Sequence, residues 1–243
     1  MTGDLENSFG FQMVEASERR ARIRRVFATV AKRYDLMNDL MSLAMHRRWK
    51  RRLVEAAAPR SGEIIVDLAG GTGDVAIGLA NPRRRVIVCD PSFEMMWVGR
   101  GRGAADVEWV AGEAEALPFA TGAIDCVTIS FGIRNVTRLD HALIEIARVL
   151  KPGGRLLCLE FSTPRRWLKP FYDVFSFAVI PLLGAAVARA PEAYLYLVES
   201  IRRFPDQERF KAALEAAGFR DVSYRDLTFG VVSLHAGRKP NPE

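Results

Sequence analysis

A glycine-rich loop followed by an acidic residue is the part of this sequence whose residue types and spacing most clearly suggest chemistry. Gly71-Thr-Gly-Asp-Val-Ala76 fits the G-x-G-x-x-A pattern. Gly71 and Gly73 allow a tight turn and a close approach of the backbone to a ligand. Asp90 follows at the separation at which a carboxylate accepts hydrogen bonds from both ribose hydroxyls. Nicotinamide-dependent dehydrogenases and S-adenosylmethionine-dependent methyltransferases share this geometry, so the pattern alone leaves both open.

Three further polar residues favour the methyltransferase. Asp67 comes just before the loop, where a carboxylate suits a cationic amino group better than a pyrophosphate. Glu113 is placed to accept a hydrogen bond from an adenine amino group, and Ser130 ends another strand. The sequence has neither a Tyr-x-x-x-Lys pair nor a set of zinc ligands, which a dehydrogenase would use to activate a carbonyl. No metal site is predicted.

These residues lie at the ends of a regular series of predicted strands. Apolar, β-branched runs predict five strands, at Glu63–Leu68, Arg85–Asp90, Asp106–Ala111, Ala123–Ser130 and Arg155–Phe161. Helical patterns alternate with them, which predicts a mostly parallel sheet with helices on both faces. Its ligand site is expected beyond the carboxyl ends of the strands. The three cysteines fall inside these strands and are expected to be buried thiols.

Composition and charge limit what else the chain does. Its 243 residues are 49% hydrophobic and 26% charged, which excludes wholesale disorder and suits one α/β domain with additions. Residues 19–52 hold twelve Lys or Arg and two Asp, a local net charge of +10 against +6 for the whole chain. Ile23, Val26, Phe27 and Val30 recur at helical spacing here, which predicts a basic amphipathic helix. Such a helix suits an anionic membrane, nucleic acid or plain solvent.

The stretch Phe171–Ala188 is the most apolar of the chain. Its charge-free run, residues 174–188, is 15 residues long and includes Pro181 and Gly184. A spanning helix needs about 20 apolar residues, so no transmembrane segment is predicted here. The stretch suits either a buried helix pair over the sheet or an apolar lid that shelters a lipid tail. Together, lid and basic helix favour a membrane surface over nucleic acid as partner.

The last part of the chain is predicted to complete the sheet. An amphipathic helix is expected over Pro205–Ala217, followed by strands at Phe219–Leu227 and Phe229–Ala236, the last of them antiparallel. Residues 1–11 contain acids and no apolar core, so we expect no secretory signal and a cytoplasmic location.

Several longer motifs make the likeness to one family more specific. Tyr34-Asp-Leu-Met-Asn-Asp39 and Phe131-Gly-Ile-Arg-Asn-Val136 resemble the menaquinone and ubiquinone biosynthesis C-methyltransferases, the UbiE/MenG-type family. Other matching stretches cover nearly the whole chain: Phe9–Gln12, Val26–Ser42, His46–Arg51, Asp67–Asp74, Glu113–Phe119, Thr128–Val136, Arg148–Gly154, Leu159–Ser162, Glu199–Arg202, Ala217–Phe219 and Gly230–His235.

The resemblance implies methyl transfer from S-adenosylmethionine to a ring carbon of a polyprenylated quinol. The family's cofactor contacts would fall on Thr72, Asp90, Glu113, Ala114 and Ser130, although the family usually has Asn or Asp where this chain has Glu113. The remaining alternatives are a nicotinamide-dependent oxidoreductase and an inactive scaffold of a quinone-biosynthesis complex.

Candidate catalytic residues follow from the need to deprotonate a quinol hydroxyl, whose unperturbed pKa is about 10 in the tyrosine analogue. Arg134 is expected to stabilise a phenolate or to orient a water that takes the proton, unless it only anchors its loop. Asn135 is expected to bind a ring oxygen. His235 is expected to act as a base, unless it is a packing residue, and Tyr34 to close over the cofactor.

The sequence thus predicts an α/β chain of the class I S-adenosylmethionine-dependent methyltransferase type, Rossmann-like, with a seven-stranded mostly parallel sheet and an antiparallel last strand. We expect one domain with four parts: an N-terminal helical arm (1–60), a cofactor-binding core (61–162), an apolar lid insertion (163–205) and a C-terminal helix and strands (206–243). The expected partners are a polyprenyl quinol and the membrane surface at the inner face, with no nucleic acid. A homo-oligomer or a quinone-biosynthesis complex is compatible with the sequence.

Overall fold

A computed structural model describes residues 6–31, 34–103, 105–183 and 191–242. Its centre is a seven-stranded sheet with the order β5-β4-β3-β6-β7-β9-β8. The strands of this sheet are β3 (Ile64–Leu68), β4 (Arg85–Asp90), β5 (Val107–Ala111), β6 (Ile124–Ser130), β7 (Leu150–Phe161), β8 (Arg220–Leu227) and β9 (Val232–Arg238). A short hairpin of β1 (Ser8–Phe9) and β2 (Gln12–Met13) precedes the sheet.

The sheet confirms the predicted fold class. Strands β3 to β7 pair in parallel, and the last strand, β9, is antiparallel to both β7 and β8. The chain order reverses beside β3, between β4 and β6, which is where a doubly wound sheet leaves a crevice at its carboxyl edge. The glycine loop follows β3 and therefore opens into this crevice.

Two strands of the sheet start three or more residues away from the predicted position, while the others start within one residue of it. Strand β7 begins at Leu150 and includes Lys151-Pro-Gly-Gly154, which was expected to lie before the strand. Strand β9 begins at Val232, three residues later than expected, because Thr228–Gly230 form a 3-10 turn in which Phe229 has a φ of +56°. Local hydrophobicity does not reveal either boundary, since both flanks are also partly apolar.

Helices cover both faces of the sheet. The helices of the described ranges are α1 (Ala16–Val30), α2 (Tyr34–Ser42), α3 (Met45–Ala57), α4 (Asp74–Leu79), α5 (Phe93–Arg100), α6 (Leu139–Val149), α7 (Lys169–Val174), α8 (Ile180–Leu183), α9 (Pro191–Arg203) and α10 (Gln207–Ala216). One face packs against α6 and α10 through residues such as Leu143, Ile146 and Phe210. The other face packs against α3 and α4 through Leu53, Val75 and Leu79. All three cysteines are buried in this sheet, as expected.

The predicted apolar lid is a broken helical segment whose two sides differ. Helix α7 continues through a π-helical turn, Phe175–Val179, into α8. Phe171 and Val174 are 72% and 68% exposed, so this segment is not a buried helix pair, whereas Ile180 packs with Val30 of α1 and Val198 of α9. Residues 184–188 of the apolar stretch lie outside the described residues. No helix in the described ranges is both long and apolar enough to cross a membrane.

Candidate functional site

A pocket at the carboxyl edge of the sheet, here called the loop pocket, gathers most of the residues predicted to bind a cofactor. Its lining includes these seven: Asp67, Gly71, Thr72, Asp90, Glu113, Ala114 and Ser130. The eighth, Gly73, instead precedes α4 with a φ of +77°, and a side chain there would collide with Trp109. Gly73 therefore shapes the start of the helix behind the loop.

Asp90 ends β4 and is held by two backbone donors. The Gly71 and Ser92 N–H groups donate to its two carboxylate oxygens, each at 2.8 Å. Gly71 reaches this position with a φ of +56°, which favours glycine. Burial raises the pKa of Asp90 to about 6. Because each carboxylate oxygen accepts only one of these bonds, the group keeps lone pairs for ligand hydroxyls.

Asp67 lies deeper, beneath the glycine loop. It accepts hydrogen bonds from the Thr128 hydroxyl at 2.9 Å and from the Ala76 N–H at 3.1 Å. Burial raises the pKa of this carboxyl to about 7. A Cβ at Gly70 would lie 2.7 Å from an Asp67 oxygen, so glycine is required for the loop to pass over the carboxylate.

Two further polar groups predicted to contact a cofactor line the loop pocket. The buried Ser130 hydroxyl has no hydrogen-bond partner among the described residues, which is costly for a buried polar atom unless a ligand supplies one. Glu113 forms an ion pair with Arg24 of α1 across the pocket. The glycine-rich backbone, the hydrogen-bonded carboxylates and the unpartnered hydroxyl of this pocket suit S-adenosylmethionine, the cofactor that the resemblance implies.

Helix α1 covers the loop pocket, which sequence reasoning did not predict. Arg20, Ile23, Arg24 and Phe27 of this helix line it, together with Lys50 of α3, whose ammonium group donates to Asp74 at 2.7 Å. The helical period of α1 revealed an apolar face, but a period cannot tell which surface that face covers.

Arg19 fastens α1 to the turn that carries two candidate catalytic residues. Its side chain is only 2% exposed. The guanidinium donates to the Ser8 and Asn135 carbonyl oxygens at 2.7 and 2.9 Å, and to the Arg134 carbonyl at 3.3 Å. This arginine, which the sequence placed in a basic solvent-facing or membrane-facing stretch, is therefore a buried structural cation.

A second pocket, here called the lid pocket, adjoins the first. Phe27 and Phe131 line both pockets and so form their common wall. Phe131 has a φ of +59°, an unusual backbone conformation for a bulky residue that is typical of functional sites. The lid pocket is mostly apolar and aromatic; its lining includes Val26, Val30, Met41, Trp49, Phe161, Tyr172, Phe175, Ile180, Tyr194, Tyr196, Leu197 and Ile201.

Arg134 lies in the lid pocket as a buried cation. It donates to a Glu160 carboxylate oxygen at 2.8 Å and to the Phe131 carbonyl oxygen, and its guanidinium lies 5.6 Å from the Phe161 ring centroid. Burial raises the pKa of Glu160. The sequence did not single out Glu160 as a partner, because 26 residues separate the two side chains and only the β6–β7 pairing brings them together.

Asn135 connects the two pockets. It lines the loop pocket, and its side-chain oxygen accepts a hydrogen bond at 3.0 Å from the hydroxyl of Tyr196, which lines the lid pocket. Tyr196 is itself stacked on Phe9, with the ring centroids 4.3 Å apart. Arg134 and Asn135, which are neighbours in one turn, thus line different pockets.

Of the other two candidate catalytic residues, His235 is not brought to these pockets. His235 lies within β9, where its Nε2 is 3.0 Å from the Gln207 carbonyl oxygen and its ring packs against Phe210 and Tyr224. His235 is therefore a packing residue on the side of the sheet that α10 covers. Tyr34 begins α2, and its side chain lies outside the described residues.

Comparison with known proteins agrees with this geometry. Residues 13–239 match the model of the family described as the ubiE/COQ5 methyltransferase family. A relative from Rubrivivax gelatinosus, named ubiquinone/menaquinone biosynthesis C-methyltransferase UbiE, is 63% identical over 97% of this chain and 94% of its own length. The mitochondrial 2-methoxy-6-polyprenyl-1,4-benzoquinol methylase of Xenopus laevis is 44% identical over 96% of this chain and 89% of its own.

Solved structures with the same fold are more distant in sequence. A methyltransferase from Thermotoga maritima, titled as dependent on S-adenosylmethionine, has a TM-score of 0.64 at 21% identity, over 88% of this chain and 99% of its own. A phosphoethanolamine N-methyltransferase from Haemonchus contortus, solved with S-adenosylhomocysteine, has a TM-score of 0.58 at 16% identity, over 79% of this chain and 52% of its own. At these identities the likeness concerns the fold alone.

Proposed function

This chain belongs to the ubiE/COQ5 methyltransferase family, and on that premise we propose that it transfers the methyl group of S-adenosylmethionine to a ring carbon of a polyprenylated quinol in ubiquinone or menaquinone biosynthesis. The observation that carries the proposal is the common wall of Phe27 and Phe131 between a pocket that holds several charged side chains and one that is mostly apolar. Because the two pockets share lining residues, a charged cofactor in one would lie next to an apolar acceptor in the other.

The loop pocket would hold S-adenosylmethionine. Asp90 would accept from the ribose hydroxyls, and Asp67 would face the cationic amino group. Glu113 and Ala114 would contact the adenine, and Thr72 and Ser130 would make further contacts with the cofactor. The unpartnered hydroxyl supports the role of Ser130, and the carboxylate held by two backbone N–H groups supports that of Asp90. When bound, this cofactor supplies an electrophilic methyl group on a sulfonium sulfur.

The lid pocket would hold the quinol ring and the first part of its tail. An apolar, aromatic lining favours a hydrocarbon chain over water. Arg134 is a fixed positive charge inside this lining, so it would stabilise the negative charge that develops on a ring oxygen. Asn135 and Tyr196 would orient the ring at the boundary between the pockets, since their side chains already form a hydrogen bond there.

We further propose that the lid contacts the membrane in which such a quinol dissolves. Trp167, Phe171 and Val174 are 57%, 72% and 68% exposed, and Phe177 is 45% exposed. Three exposed cations, Arg165, Arg166 and Lys169, lie beside them in the chain. Exposed aromatic residues next to cations are the signature of binding at an anionic lipid surface. The enzyme would then act from the cytoplasmic side as a peripheral protein.

The proposal is tested by a methyl-transfer assay with labelled S-adenosylmethionine, offering demethylmenaquinol and the 2-polyprenyl-6-methoxy-1,4-benzoquinol separately in detergent. We expect label in one product or in both. Absence of label in either, with the cofactor still bound by calorimetry, would contradict the substrate assignment. Absence of binding would contradict the assignment of the loop pocket.

The role of Arg134 is tested in the same assay with Arg134→Gln. We expect kcat to fall about 10²- to 10³-fold, the usual cost of removing a group that stabilises transition-state charge, with the affinity for S-adenosylmethionine retained. Arg138→Gln is the matched control, because Arg138 is exposed and follows the same turn. Equal activity of the two variants would contradict the role of Arg134.

A further inference from the structure

His46 is a buried histidine of the lid pocket that the reaction as described so far does not use. It belongs to the first turn of α3, is 5% exposed and lines the pocket with Arg134. Its Nδ1 is buried and has no hydrogen-bond partner in the part of the chain that the structure describes. A buried nitrogen without a partner inside a substrate pocket indicates a bond that a ligand completes.

The other ring nitrogen is held by a carboxylate. His46 Nε2 lies 2.9 Å from Oδ1 of Asp39, which is itself paired with Arg47. The guanidinium of Arg47 holds the pKa of Asp39 down at about 2. A carboxylate that stays charged fixes the proton of a neutral imidazole on Nε2, which leaves the Nδ1 lone pair free to accept a proton.

The backbone between α2 and α3 is shaped to bring these two side chains together. Leu43 and Ala44 have φ values of +49° and +60°, two consecutive left-handed residues that are not glycine. The Ser42 hydroxyl accepts a hydrogen bond from the His46 N–H at 3.2 Å and donates to the Asn38 carbonyl oxygen at 2.6 Å. Left-handed conformations of residues other than glycine destabilise the fold locally, and they cluster at functional sites.

His46 is neutral near pH 7. Burial lowers its pKa most, and the Lys50 ammonium on α3 lowers it further, while Asp39 on α2 and Asp74 on α4 raise it. The net direction is downward from the ordinary value. A neutral, acceptor-ready imidazole in an apolar pocket is the form in which a general base is useful.

We propose that His46 is the proton acceptor of the methyl transfer, with its Nδ1 taking the proton of the quinol hydroxyl and Asp39 acting as the positioning residue. The inference rests on the proposed function, because it requires a ring hydroxyl in the lid pocket. Other groups there are less suitable: Arg134 does not lose its proton in proteins, and Glu160 is occupied by Arg134. His235 lies outside the pocket.

The proton and electron balance of this step is complete. As the hydroxyl proton moves to Nδ1, the electron pair of the ring carbon forms a bond to the methyl carbon, and the methyl–sulfur bond breaks with its pair going to sulfur. The methylated carbon then loses its hydrogen as a proton to water, which restores the aromatic ring. The ring oxygen takes back the proton from His46, so one proton is released overall.

The test is the pH dependence of kcat for the full-length wild-type chain and for His46→Gln, at saturating S-adenosylmethionine with reduced quinol in detergent. For wild type we expect the rate to fall on acidification as Nδ1 becomes protonated, with the midpoint of the fall below the ordinary imidazole pKa. For His46→Gln we expect kcat to be lower by about 10²- to 10⁴-fold at pH 7. Its rate should rise with pH up to about 9, because the quinol must then ionise by itself.

His235→Gln is the matched control, because it removes the other buried histidine outside the pocket; its pH profile should equal that of wild type. Asp39→Asn should lower kcat and move the acid limb to lower pH, because Asp39 raises the pKa of His46. Calorimetric affinity for S-adenosylmethionine should remain within threefold in each variant.

Each result has one meaning. A His46→Gln enzyme that keeps the wild-type rate and acid limb overturns the inference. If His46→Gln does not fold, an unchanged acid limb in Asp39→Asn overturns it instead. A wild-type chain that methylates neither quinol refutes the proposed function, which is a different failure.

Discussion

At the scale of single residues, burial raises the pKa values of two carboxyl groups that line the loop pocket. Asp90 and Asp67 are 7% and 1% exposed, and burial raises their pKa values to about 6 and about 7. Both would therefore change charge within the physiological range. A ligand that donates hydrogen bonds or carries a positive charge stabilises their ionised forms, so it binds the deprotonated protein better.

We therefore predict that affinity for S-adenosylmethionine falls in two steps as the pH is lowered from 8 to 5. The first step, near pH 7, is the protonation of Asp67, and the second, near pH 6, is the protonation of Asp90. Asp90→Asn should remove the lower step and weaken binding about 10- to 100-fold at pH 8, the range for hydrogen bonds to a charged group. Asp67→Asn should remove the upper step. Calorimetric titration at several pH values measures both, and a pH-independent affinity in wild type would contradict the assignment.

Much of the loop pocket could be predicted from single residues because strand ends define it. Asp90 and Ser130 end their strands, and Asp67 precedes the last residue of its strand. The apolar run of each strand is evident in the sequence, and parallel strands bring such ends to one edge. Glu160 and His46 could not be assigned roles in this way. Their significance depends on partners and pockets that only the folded chain assembles.

At the scale of elements, α1 is the part whose structure departs most from its sequence pattern. The period predicted a basic amphipathic helix, and its apolar residues Ile23 and Val30 are buried as expected. Charge, however, did not predict exposure: Arg19 is buried among three carbonyl oxygens, and Arg24 is paired with Glu113. Sequence patterns count charges but do not reveal which of them find partners inside the protein.

We predict that Arg19→Met lowers the free energy of unfolding by about 3 kcal/mol, because it leaves buried carbonyl oxygens without donors. It should also raise the KM for S-adenosylmethionine, since α1 covers the loop pocket and loses its link to the turn Ile133–Asn135. Urea unfolding and steady-state kinetics measure the two effects. Arg25→Met on the exposed side of the same helix should change neither, and an equal loss there would show that helix charge alone matters.

At the scale of the whole molecule, the lid has two chemically different sides. Tyr172 and Phe175 line the lid pocket, while Phe171 and Val174 face outward. One short segment can thus shelter an apolar ligand and contact a lipid surface. The sequence predicted an apolar segment here, but the π-helical turn that separates its two sides has no clear sequence signal.

We predict that the chain cosediments with anionic phospholipid vesicles more than with zwitterionic ones. Phe171→Glu should weaken this partitioning about 10-fold or more, because it removes one large apolar contact and adds a repelled charge. It should leave the affinity for S-adenosylmethionine in detergent-free buffer unchanged. Ile144→Glu is the control, since Ile144 is 58% exposed on α6. Equal partitioning of both variants would locate membrane contact elsewhere.

The hydrogen bond between Tyr196 and Asn135 is a physical route by which a ligand in one pocket would change the affinity of the other pocket. One partner lines the lid pocket and the other the loop pocket, so a quinol that reorients Tyr196 also alters a wall of the cofactor site. By reciprocity, the factor by which the first reactant changes the affinity of the second is the factor by which the second changes that of the first. With both reactants bound as proposed, each would therefore be a heterotropic effector of the other through the amide oxygen of Asn135.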